Sequence, residues 1–458
     1  MKKLLLIGAA TLIVSNPTFA GGLLTNTNQH AAFLRMLSRG ATTEIDGALS
    51  NPAGLSFMPK DGFHVGLSIQ SVYQTRNIDA SFMTYNGVSA TGPTVSDKPF
   101  QKYYEGTAAA PIVPSLFAAY KQGDWTISGF FAITAGGGKA SFDDGLPLFD
   151  SSAMAGIFQT SVDDYQRTQG QSPIVTPDMY DIVSGMDGKQ YIYSLQLGLS
   201  YKATDWLSVF AGGRMNYFTG GYQGFLNANL KAALGGAELM ALALDCDQTG
   251  WGLTPVIGVD AKLGKLNIGA KYEFKTNLNI ENNTKKIDCP PSAKAMVAPY
   301  EHGVNTPNDI PSMLSVAAAY EFLPVLRASV EYHFYDDKSA GMAGGKQKSL
   351  TKGTNEYLAG IEWDATKQLT LSCGGQITDY GLSDNFQSDT SFSCDSYTLG
   401  FGAKVKMNAK LNLNVGYMWT TYEDYTKTSS NYNGTGLPGT NIYSRTNKVF
   451  GVSVDYNF

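Results

Sequence analysis

The sequence FGVSVDYNF, residues 450–458, indicates the fold of this chain most directly. Apolar or aromatic side chains occupy every second position, and Gly451, Ser453, Asp455 and Asn457 stand between them. Because successive side chains of a strand point to opposite faces, this strand has one apolar and one polar face. The pattern fits a sheet that has lipid on one side and an aqueous lumen on the other.

A single alternating strand also fits a soluble sandwich, so repetition decides between the two classes. Residues 397–406 and 411–420 alternate in the same way. Segments of about ten residues with this period are typical of transmembrane barrel strands. We predict fourteen of them, which start near Gly62, Ile112, Asp124, Gln190, Asp205, Thr249, Lys265, Pro311, Pro324, Gly353, Lys367, Asp395, Lys410 and Thr446.

The connections between these strands alternate in length. Short turns such as Ala203-Thr204 and Leu263-Gly264 follow every second strand, and long loops follow the others. Outer-membrane barrels have short turns on the periplasmic rim and long loops outside the cell. The predicted fold class is therefore all-β, a transmembrane antiparallel β-barrel of about 14 strands.

The N-terminal residues have the features of a secretory signal. Lys2 and Lys3 precede an apolar run at 4–14, and Thr18-Phe19-Ala20 provides a small-x-small cleavage site. This run is too short to span a bilayer as a helix. We predict a signal peptide over residues 1–20, a mature chain that begins near Gly21, and a multi-pass barrel in the outer membrane of a Gram-negative-type bacterium.

The composition agrees with this class. The chain contains 50 glycines, 26 tyrosines and 23 phenylalanines. Glycine allows strands to bend and to pack closely, and aromatic rings form the two interfacial girdles of a membrane barrel. A net charge of -5 argues against nucleic acid as a partner.

Residues 21–61 precede the first strand and lack its alternation. A disordered periplasmic tail is the simpler interpretation, but the segment is too apolar for one. We predict that it forms a hatch, that is, a plug in the lumen, and that residues 62–458 form the barrel with long extracellular loops. The apolar residues of the segment are Phe33, Leu34, Met36, Leu37, Ile45, Leu49, Leu55 and Phe57.

The four cysteines are compatible with two disulfides in a secreted chain. Cys373 and Cys394 stand on either side of the loop region 378–393, so a hairpin there could set them opposite each other. Cys246 and Cys289 both fall in predicted long loops. Free thiols are the alternative; we expect no metal site, because no histidine stands at ligand spacing from any cysteine.

We expect neither an enzyme nor a bound cofactor. None of the 4 histidines lies in a Gly-x-Ser-x-Gly or His-Glu-x-x-His context, which mark two classes of hydrolase. Gly136-Gly137-Gly138, in the predicted third strand, completes neither a Walker nor a dinucleotide motif. Three glycines in a strand more often mark a bulge or a kink.

Two long loops are unusually apolar. Residues 226–244, between the predicted fifth and sixth strands, have the pattern of a helix with a broad apolar face. Outside the cell, such a helix either packs on a neighbouring loop as a lid or lines a groove for a hydrophobic ligand. Residues 143–186 carry further scattered apolar side chains. The candidate groove residues are Leu226, Leu230, Leu234, Leu239 and Met240.

The segment Asn51-Pro52-Ala53-Gly54-Leu55, directly ahead of the first long strand, resembles the FadL/TodX family of outer-membrane transporters for long-chain fatty acids and other hydrophobic compounds. Ile310-Pro311-Ser312-Met313 before the eighth strand, the glycine-rich third strand and the terminal Phe458 add to the likeness. The resemblance implies a monomeric fourteen-stranded barrel, a hatch, a ligand-capturing surface groove, and lateral release into the membrane at an inward kink of the third strand. Asn51, Pro52 and Ala53 would then contact that kink, at Gly136, Gly137 and Gly138, and act as its gate.

The resemblance also implies basic side chains that hold the carboxylate of a fatty acid. The corresponding stretch here, residues 218–222, contains no cation. Arg214 and Lys338 are candidate substitutes, by proximity in sequence only. We therefore predict passage of hydrophobic small molecules, long-chain fatty acids or similar lipophiles, by facilitated diffusion.

The expected partners are this ligand, outer-membrane lipid and the barrel-assembly machinery, which would recognise Phe458. The alternative functions are a general polar-solute porin, a structural or adhesive surface barrel, and an outer-membrane lipase or protease. A porin would need an open lumen, and the predicted hatch argues against it.

Overall fold

A computed structural model describes residues 24–458 of the chain. The predicted signal peptide lies outside this range. Within it, no helix is both long enough and apolar enough to cross a bilayer.

A closed barrel of 14 antiparallel strands dominates the structure, as predicted. The strands are β1 (Gly62–Phe82), β2 (Phe100–Gln122), β3 (Trp125–Phe142), β4 (Tyr180–Lys202), β5 (Leu207–Leu230), β6 (Glu238–Leu263), β7 (Leu266–Glu273), β8 (Met313–Leu323), β9 (Leu326–Tyr335), β10 (Thr354–Asp364), β11 (Leu369–Asp379), β12 (Ser396–Lys406), β13 (Leu411–Tyr422) and β14 (Gly439–Asn457).

The first and last strands close the barrel. Their ladder runs without interruption from His64 opposite Asn457 to Phe82 opposite Gly439. Each remaining strand pairs with its neighbours in chain order, and β7 pairs with β8 across the intervening loop. The closure leaves no strand at a free edge of the sheet along its whole length.

The two faces of the wall have opposite chemistry. Side chains such as Leu197 and Trp251 point outward and are 61% and 71% exposed, whereas the polar Gln196 and Asn216 point inward and are 1% exposed. A soluble protein has the reverse arrangement. The outward apolar surface therefore faces lipid and the polar surface faces the lumen.

Several strands begin earlier than the alternation predicts. β2 begins at Phe100 rather than near Ile112, and β6 at Glu238 rather than near Thr249. Beyond the lipid, the outward side chains of a strand are polar, so hydrophobic alternation no longer marks it even though the ladder continues.

The predicted helix at 226–244 is wrong. Leu226 and Leu230 lie on β5, Leu239 and Met240 lie on β6, and a turn at Ala232–Leu234 joins the two strands. Backbone pairing continues through the hairpin, from Phe225 opposite Ala243 outward. Each strand places apolar side chains at every second position, and the turn between the strands shifts that alternation. The combined spacing of the leucines therefore resembles a helical period.

The loops contain further short elements and one long helix. The helix α3 (Pro147–Arg167) lies between β3 and β4, in the stretch where the sequence showed scattered apolar residues. Five short strands lie outside the barrel set, at Tyr85–Ser89, Gly92–Val95, Asn279–Asp288, Asn305–Pro307 and Tyr425–Ser429. The remaining helical turns of the loops are Pro177–Met179, Pro291–Ala293, α4 (Lys294–Val297), Ala298–Tyr300, Asp337–Ser339, Ala343–Ser349 and Tyr432–Gly434.

The N-terminal segment lies inside the barrel as a hatch. It consists of α1 (Ala31–Arg35), α2 (Gly47–Ser50) and a 3-10 turn at Pro52–Phe57, and nearly all of residues 28–56 are buried. Its polar side chains bond to the lumen face all round the wall, for example His30 to Asp455 of β14 and Ser38 to Ser329 of β9.

Ion pairs fix the hatch to the wall. Arg35 forms a buried pair with Glu362 of β10, and Lys404 of β12 pairs with Glu44, whose side chain is 37% exposed. Breaking a buried pair by removing one partner leaves an uncompensated charge, which costs about 3–5 kcal/mol. The hatch is therefore held by contacts that are costly to remove one at a time.

Of the two alternatives for the cysteines, the structure has free thiols: neither possible disulfide is formed, and all four cysteines are free. Cys373 is exposed on the lipid face of β11 and stands opposite Phe401, while Cys394 is buried below the loop that precedes β12. Cys246 lies on β6 opposite Thr284, whereas Cys289 lies just beyond the end of that ladder at Asp288. The ladder between β11 and β12 begins at the pair Thr378–Ser396, so Cys394 lies outside it and its register does not bring Cys373 and Cys394 together.

Candidate functional site

The barrel wall is interrupted between β2 and β3. The ladder between these strands stops at the pair Ser115–Ala132 and resumes at the pair Ala109–Lys139. Both strands remain paired with their outer neighbours, β1 and β4. We call the segments without mutual pairing the wall opening; they are residues 110–114 and 133–138.

On β2, two prolines explain the interruption. Pro111 and Pro114 lie within the unpaired segment. Proline has no backbone N–H and cannot donate to a ladder, so it is found in sheets at edges and bulges. β2 accordingly behaves as an edge strand over these residues.

On β3, the glycine-rich segment shifts the register twice. The pairing with β4 slips between Ile133 and Ala135 and again between Gly136 and Gly138. Gly136 has φ +74, and a Cβ added there would lie 2.0 Å from the carbonyl oxygen of Gln190. Only glycine fits both this left-handed conformation and this close approach. The irregularity lies where the glycine triplet indicated a bulge or kink.

A cavity of about 220 Å³ lies behind the wall opening. Both edges of the opening line it, through Ala110, Val113, Ile133 and Ala135. Hatch residues 25–29 form another part of its surface. The remaining lining comes mainly from β1, β4, β13, β14 and the loop residues 390–393, with Val72, Phe142, Leu146, Met186, Met418 and Val449 as its larger apolar side chains.

The hatch meets the wall opening through Gln29. The side-chain amide of Gln29 donates to the carbonyl of Thr134 at 3.2 Å, and the hydroxyl of Ser115 donates to the carbonyl of Gln29 at 2.6 Å. Thr134 belongs to the unpaired segment of β3, so the hatch supplies a partner for one of its backbone carbonyls. No sequence motif marks Gln29 for this position.

The segment Asn51–Ala53 does not contact the wall opening. The amide of Asn51 donates to the carbonyl of Val259 at 3.1 Å, and Ser200 and Ser208 donate to the two following carbonyls. These contacts are with β4, β5 and β6. The expected contact with Gly136–Gly138 is therefore wrong for this chain, because the serine-lined walls of those strands hold the Pro52–Phe57 turn at another part of the lumen.

Neither candidate headgroup cation lines the cavity. Arg214 forms a double hydrogen bond with Glu273 at 2.7 and 2.8 Å, so its charge is already compensated. Lys338 is exposed in a loop and donates to the carbonyl of Thr351. Proximity in sequence did not predict which cations line the cavity.

Two other arginines line the cavity, Arg76 on β1 and Arg445 on β14. They stand directly opposite each other in the ladder that closes the barrel. They lie hundreds of residues apart in sequence, so only the register of the first and last strands brings them together.

Three of the five candidate groove residues, Leu226, Leu239 and Met240, pack into or against buried clusters that include residues of α3. Leu226 is 1% exposed and belongs to a buried cluster with Ala153 of α3 and Val297. Leu239 and Met240 pack against neighbouring buried residues of α3 and β4. Leu230 lies half-buried near the end of β5, and Leu234 is 49% exposed at the tip of the hairpin, away from the clusters.

Comparisons with known proteins agree with this architecture. The family model for the outer membrane protein beta-barrel domain matches residues 291–458. No curated protein matches the chain by sequence.

Several solved structures have the same fold. A Pseudomonas aeruginosa FadL homologue is 15% identical with a TM-score of 0.65, and the match covers 96% of this chain and 100% of that chain. The P. putida toluene transporter TodX is 14% identical with a TM-score of 0.51, covering 91% and 95%. The Ralstonia pickettii toluene transporter TbuX is 14% identical with a TM-score of 0.52, covering 93% and 98%. The chain is thus an outer-membrane β-barrel with the fold of FadL and TodX.

Proposed function

We propose that this protein admits small hydrophobic molecules through the outer membrane of a Gram-negative bacterium. In this proposal, a ligand is captured at the surface groove, enters the cavity and leaves sideways into the lipid through the wall opening. The observation that carries the proposal is the wall opening itself, whose two edges both line the cavity.

The lateral route follows from the free energy of transfer. Moving a methylene group from water into an apolar environment is favourable by about 0.8 kcal/mol. A ligand that left the cavity for the periplasm would lose this stabilisation for every methylene exposed to water. A ligand that entered the bilayer would retain the stabilisation. Passage along this path requires no energy source, so we infer facilitated diffusion.

The hatch supports selection for hydrophobic molecules over small polar solutes. Arg35, Arg39 and neighbouring hatch residues fill the lumen and bond to the wall. A porin needs a continuous aqueous channel, which this hatch occupies. TodX and TbuX, which have the same fold, are described as toluene transporters, and toluene is a small hydrophobic molecule.

Uptake by cells that produce a variant with a blocked wall opening tests the proposal. Ala110 lies in the opening and is 5% exposed, so Ala110→Trp should fill it and slow the uptake of radiolabelled toluene. Ala118→Trp is the matched control, because Ala118 lies on the lipid face of the same strand. If both variants took up toluene at the unmodified rate, exit between β2 and β3 would be wrong.

A further inference from the structure

A buried carboxylate lies where the hatch meets the wall near the short turn between β6 and β7. Asp260 of β6 is 0% exposed, and its Oδ2 accepts hydrogen bonds from the side-chain amides of Asn51 in the hatch at 3.2 Å and Asn267 in β7 at 3.3 Å. Among residues 24–458, no lysine, arginine or histidine nitrogen lies within 4.0 Å of this carboxylate. A charge removed from water without a partner is costly, so a buried carboxylate is paired with a cation, bound to a metal ion or protonated.

Three side-chain oxygens of this junction accept no hydrogen bond from the part of the chain that the structure describes. They are the Oδ1 atoms of Asp260, Asn51 and Asn267. Asn51 is 1% exposed and Asn267 is 8% exposed, so bulk water does not hydrate them. Buried polar groups of native proteins nearly always have a partner. Three unpartnered acceptors, on three groups that meet at one carboxylate, therefore point to a bound ligand.

Main-chain carbonyls of the hatch also lie beside the carboxylate. A Cβ added at Gly54 would lie 2.4 Å from the carbonyl oxygen of Thr42 and 3.2 Å from Oδ2 of Asp260. A Cβ added at Gly269 would lie 2.2 Å from the carbonyl oxygen of Gly40 and 3.2 Å from the same Oδ2. Neither carbonyl can donate a hydrogen bond to the carboxylate. The hatch thus surrounds Asp260 with further oxygens instead of a compensating cation.

The two asparagine amides are already in use as donors. Besides bonding to the carboxylate, Asn51 donates to the carbonyl of Val259 at 3.1 Å and Asn267 donates to the carbonyl of Ala41 at 2.9 Å. The side-chain atoms of this junction that are left without a partner are therefore all acceptors. Carboxylate, side-chain amide and main-chain carbonyl oxygens are the ligands that hard metal cations prefer.

We propose that Asp260, Asn51 and Asn267 bind a monovalent hard cation, Na⁺, which ties the hatch to β6 and β7. The junction contributes a single carboxylate, so Na⁺ neutralises it, whereas a divalent ion would leave a net positive charge in a buried place. The site uses neither cysteine nor histidine, so the spacing of those residues in the sequence gives no indication of it. None of its three residues lines the cavity, and the inference is independent of the proposed function.

Heat stability in two salts tests the inference. The full chain in nanodiscs of zwitterionic lipid is heated in NaCl or in choline chloride at equal concentration, and heat modifiability on gels gives the unfolding midpoint. Choline carries the same charge as Na⁺, but its methyl groups keep it away from buried oxygens. A ligand that binds only the folded state raises the midpoint, so we expect a midpoint about 1–4 °C higher in NaCl. Asp260→Asn keeps the size of the side chain and removes its charge, so it should abolish the difference.

Further variants separate ion binding from folding. Asp364→Asn is the matched control, because Asp364 of β10 is already compensated by Arg327 at 3.0 Å. This variant should keep the difference between the two salts even if both of its midpoints fall. Asn267→Asp adds a second carboxylate, so CaCl₂ should stabilise this variant at concentrations that have no effect on the unmodified protein. Asn267→Ala, which removes one ligand, should reduce the difference and replaces Asp260→Asn if that variant does not fold.

Diffraction locates the ion directly. Tl⁺ occupies oxygen-lined sites of monovalent cations and scatters X-rays anomalously. Crystals of the full chain soaked in thallium acetate should show an anomalous peak beside Oδ1 of Asp260. This measurement needs no variant, so it holds even if the substitutions disturb the barrel.

Several results would overturn the site. Equal midpoints of the unmodified protein in the two salts, or no Tl⁺ peak at Asp260, would mean that the carboxylate is protonated or holds only water. A difference that persists in Asp260→Asn would place the ion elsewhere, and a difference lost in Asp364→Asn as well would be a general effect of removed charge. Stabilisation of the unmodified protein by CaCl₂ but not by NaCl would overturn the assignment to a monovalent ion. None of these results bears on the passage of toluene through the wall opening.

Discussion

Gly136 shows how one residue fixes the shape of the barrel wall. Its φ of +74 lies in the left-handed region, and the Gln190 carbonyl lies 2.0 Å from where a Cβ would stand. An L-residue in that conformation costs about 1–2 kcal/mol before any clash is counted. The kink of β3 therefore depends on the absence of a side chain at this position.

Gly136→Ala should slow toluene uptake, because β3 must rearrange to accommodate the new Cβ. Gly375→Ala is the matched control, since a Cβ at Gly375 on β11 would meet no atom closer than 3.8 Å. Initial uptake rates at equal levels of folded protein provide the measurement. Equal rates for the two variants would show that the kink can be lost without closing the path.

Residue patterns predicted the barrel because alternation is local, whereas the cavity depends on pairs that are distant in sequence. The alternation at 450–458 and its repeats predicted the strands and their lipid face. The meeting of Arg76 with Arg445 depends on the register between the first and last strands, which no local pattern encodes. The same limit applies to Gln29, whose partner Thr134 lies on another strand.

At the scale of elements, β2 and β3 contribute differently to the wall opening. Prolines remove donors from β2, and register shifts move β3. The glycines were recognisable in the sequence, but the prolines Pro111 and Pro114 fell next to the predicted start of β2 and were not connected with them. An opening forms in a sheet only where two neighbouring strands both lack pairing. The glycines of β3 or the prolines of β2 alone therefore do not predict it.

Replacing both prolines should therefore narrow the opening. The double variant Pro111→Val, Pro114→Val supplies two N–H donors and two residues that favour regular strands. Toluene uptake should fall while the barrel becomes at least as resistant to heat. An uptake rate unchanged in this variant, with normal folding, would show that β3 alone determines the opening.

The hairpin between β5 and β6 is the element that the sequence pattern misassigned. The spacing of its leucines predicts a helix, but the helix in this part of the loops is α3. The groove residues nevertheless remain candidates for capture, because the hairpin packs its apolar side chains against that helix.

Capture at this groove predicts unequal effects along the hairpin. The change Leu239→Asp should weaken uptake at low toluene concentration, since Leu239 packs beside α3. The change Leu234→Asp is the internal control, because Leu234 is exposed at the tip. Uptake at saturating toluene should be equal in both. Identical uptake at all concentrations would leave the groove as a lid without a role in capture.

The whole molecule is a barrel closed around its own N-terminal segment. The backbone N–H of Phe458 donates to the carbonyl of Phe63 at 2.9 Å, so the end of β14 is tied to the start of β1. The Phe458 side chain is 63% exposed on the outer face. We propose that this aromatic side chain serves recognition by the barrel-assembly machinery rather than transport.

Deleting Phe458 should lower the amount of folded protein in the outer membrane and leave the uptake per folded molecule unchanged. Heat modifiability gives the folded fraction, and uptake normalised to it gives the specific rate. Phe450→Ala, which removes another exposed aromatic of the same strand, is the control for lost lipid contact alone. A normal folded fraction after the deletion would contradict an assembly role.

The position of the arginine pair links the cavity to the closure of the barrel. Arg76 belongs to the first strand and Arg445 to the last, and they become neighbours only along the ladder that seals the wall. A chain stalled before that seam forms holds the two guanidinium groups apart, and the lining of its cavity is incomplete. A complete cavity is accordingly a property of the closed barrel, and it exists only once the two ends of the sheet have met.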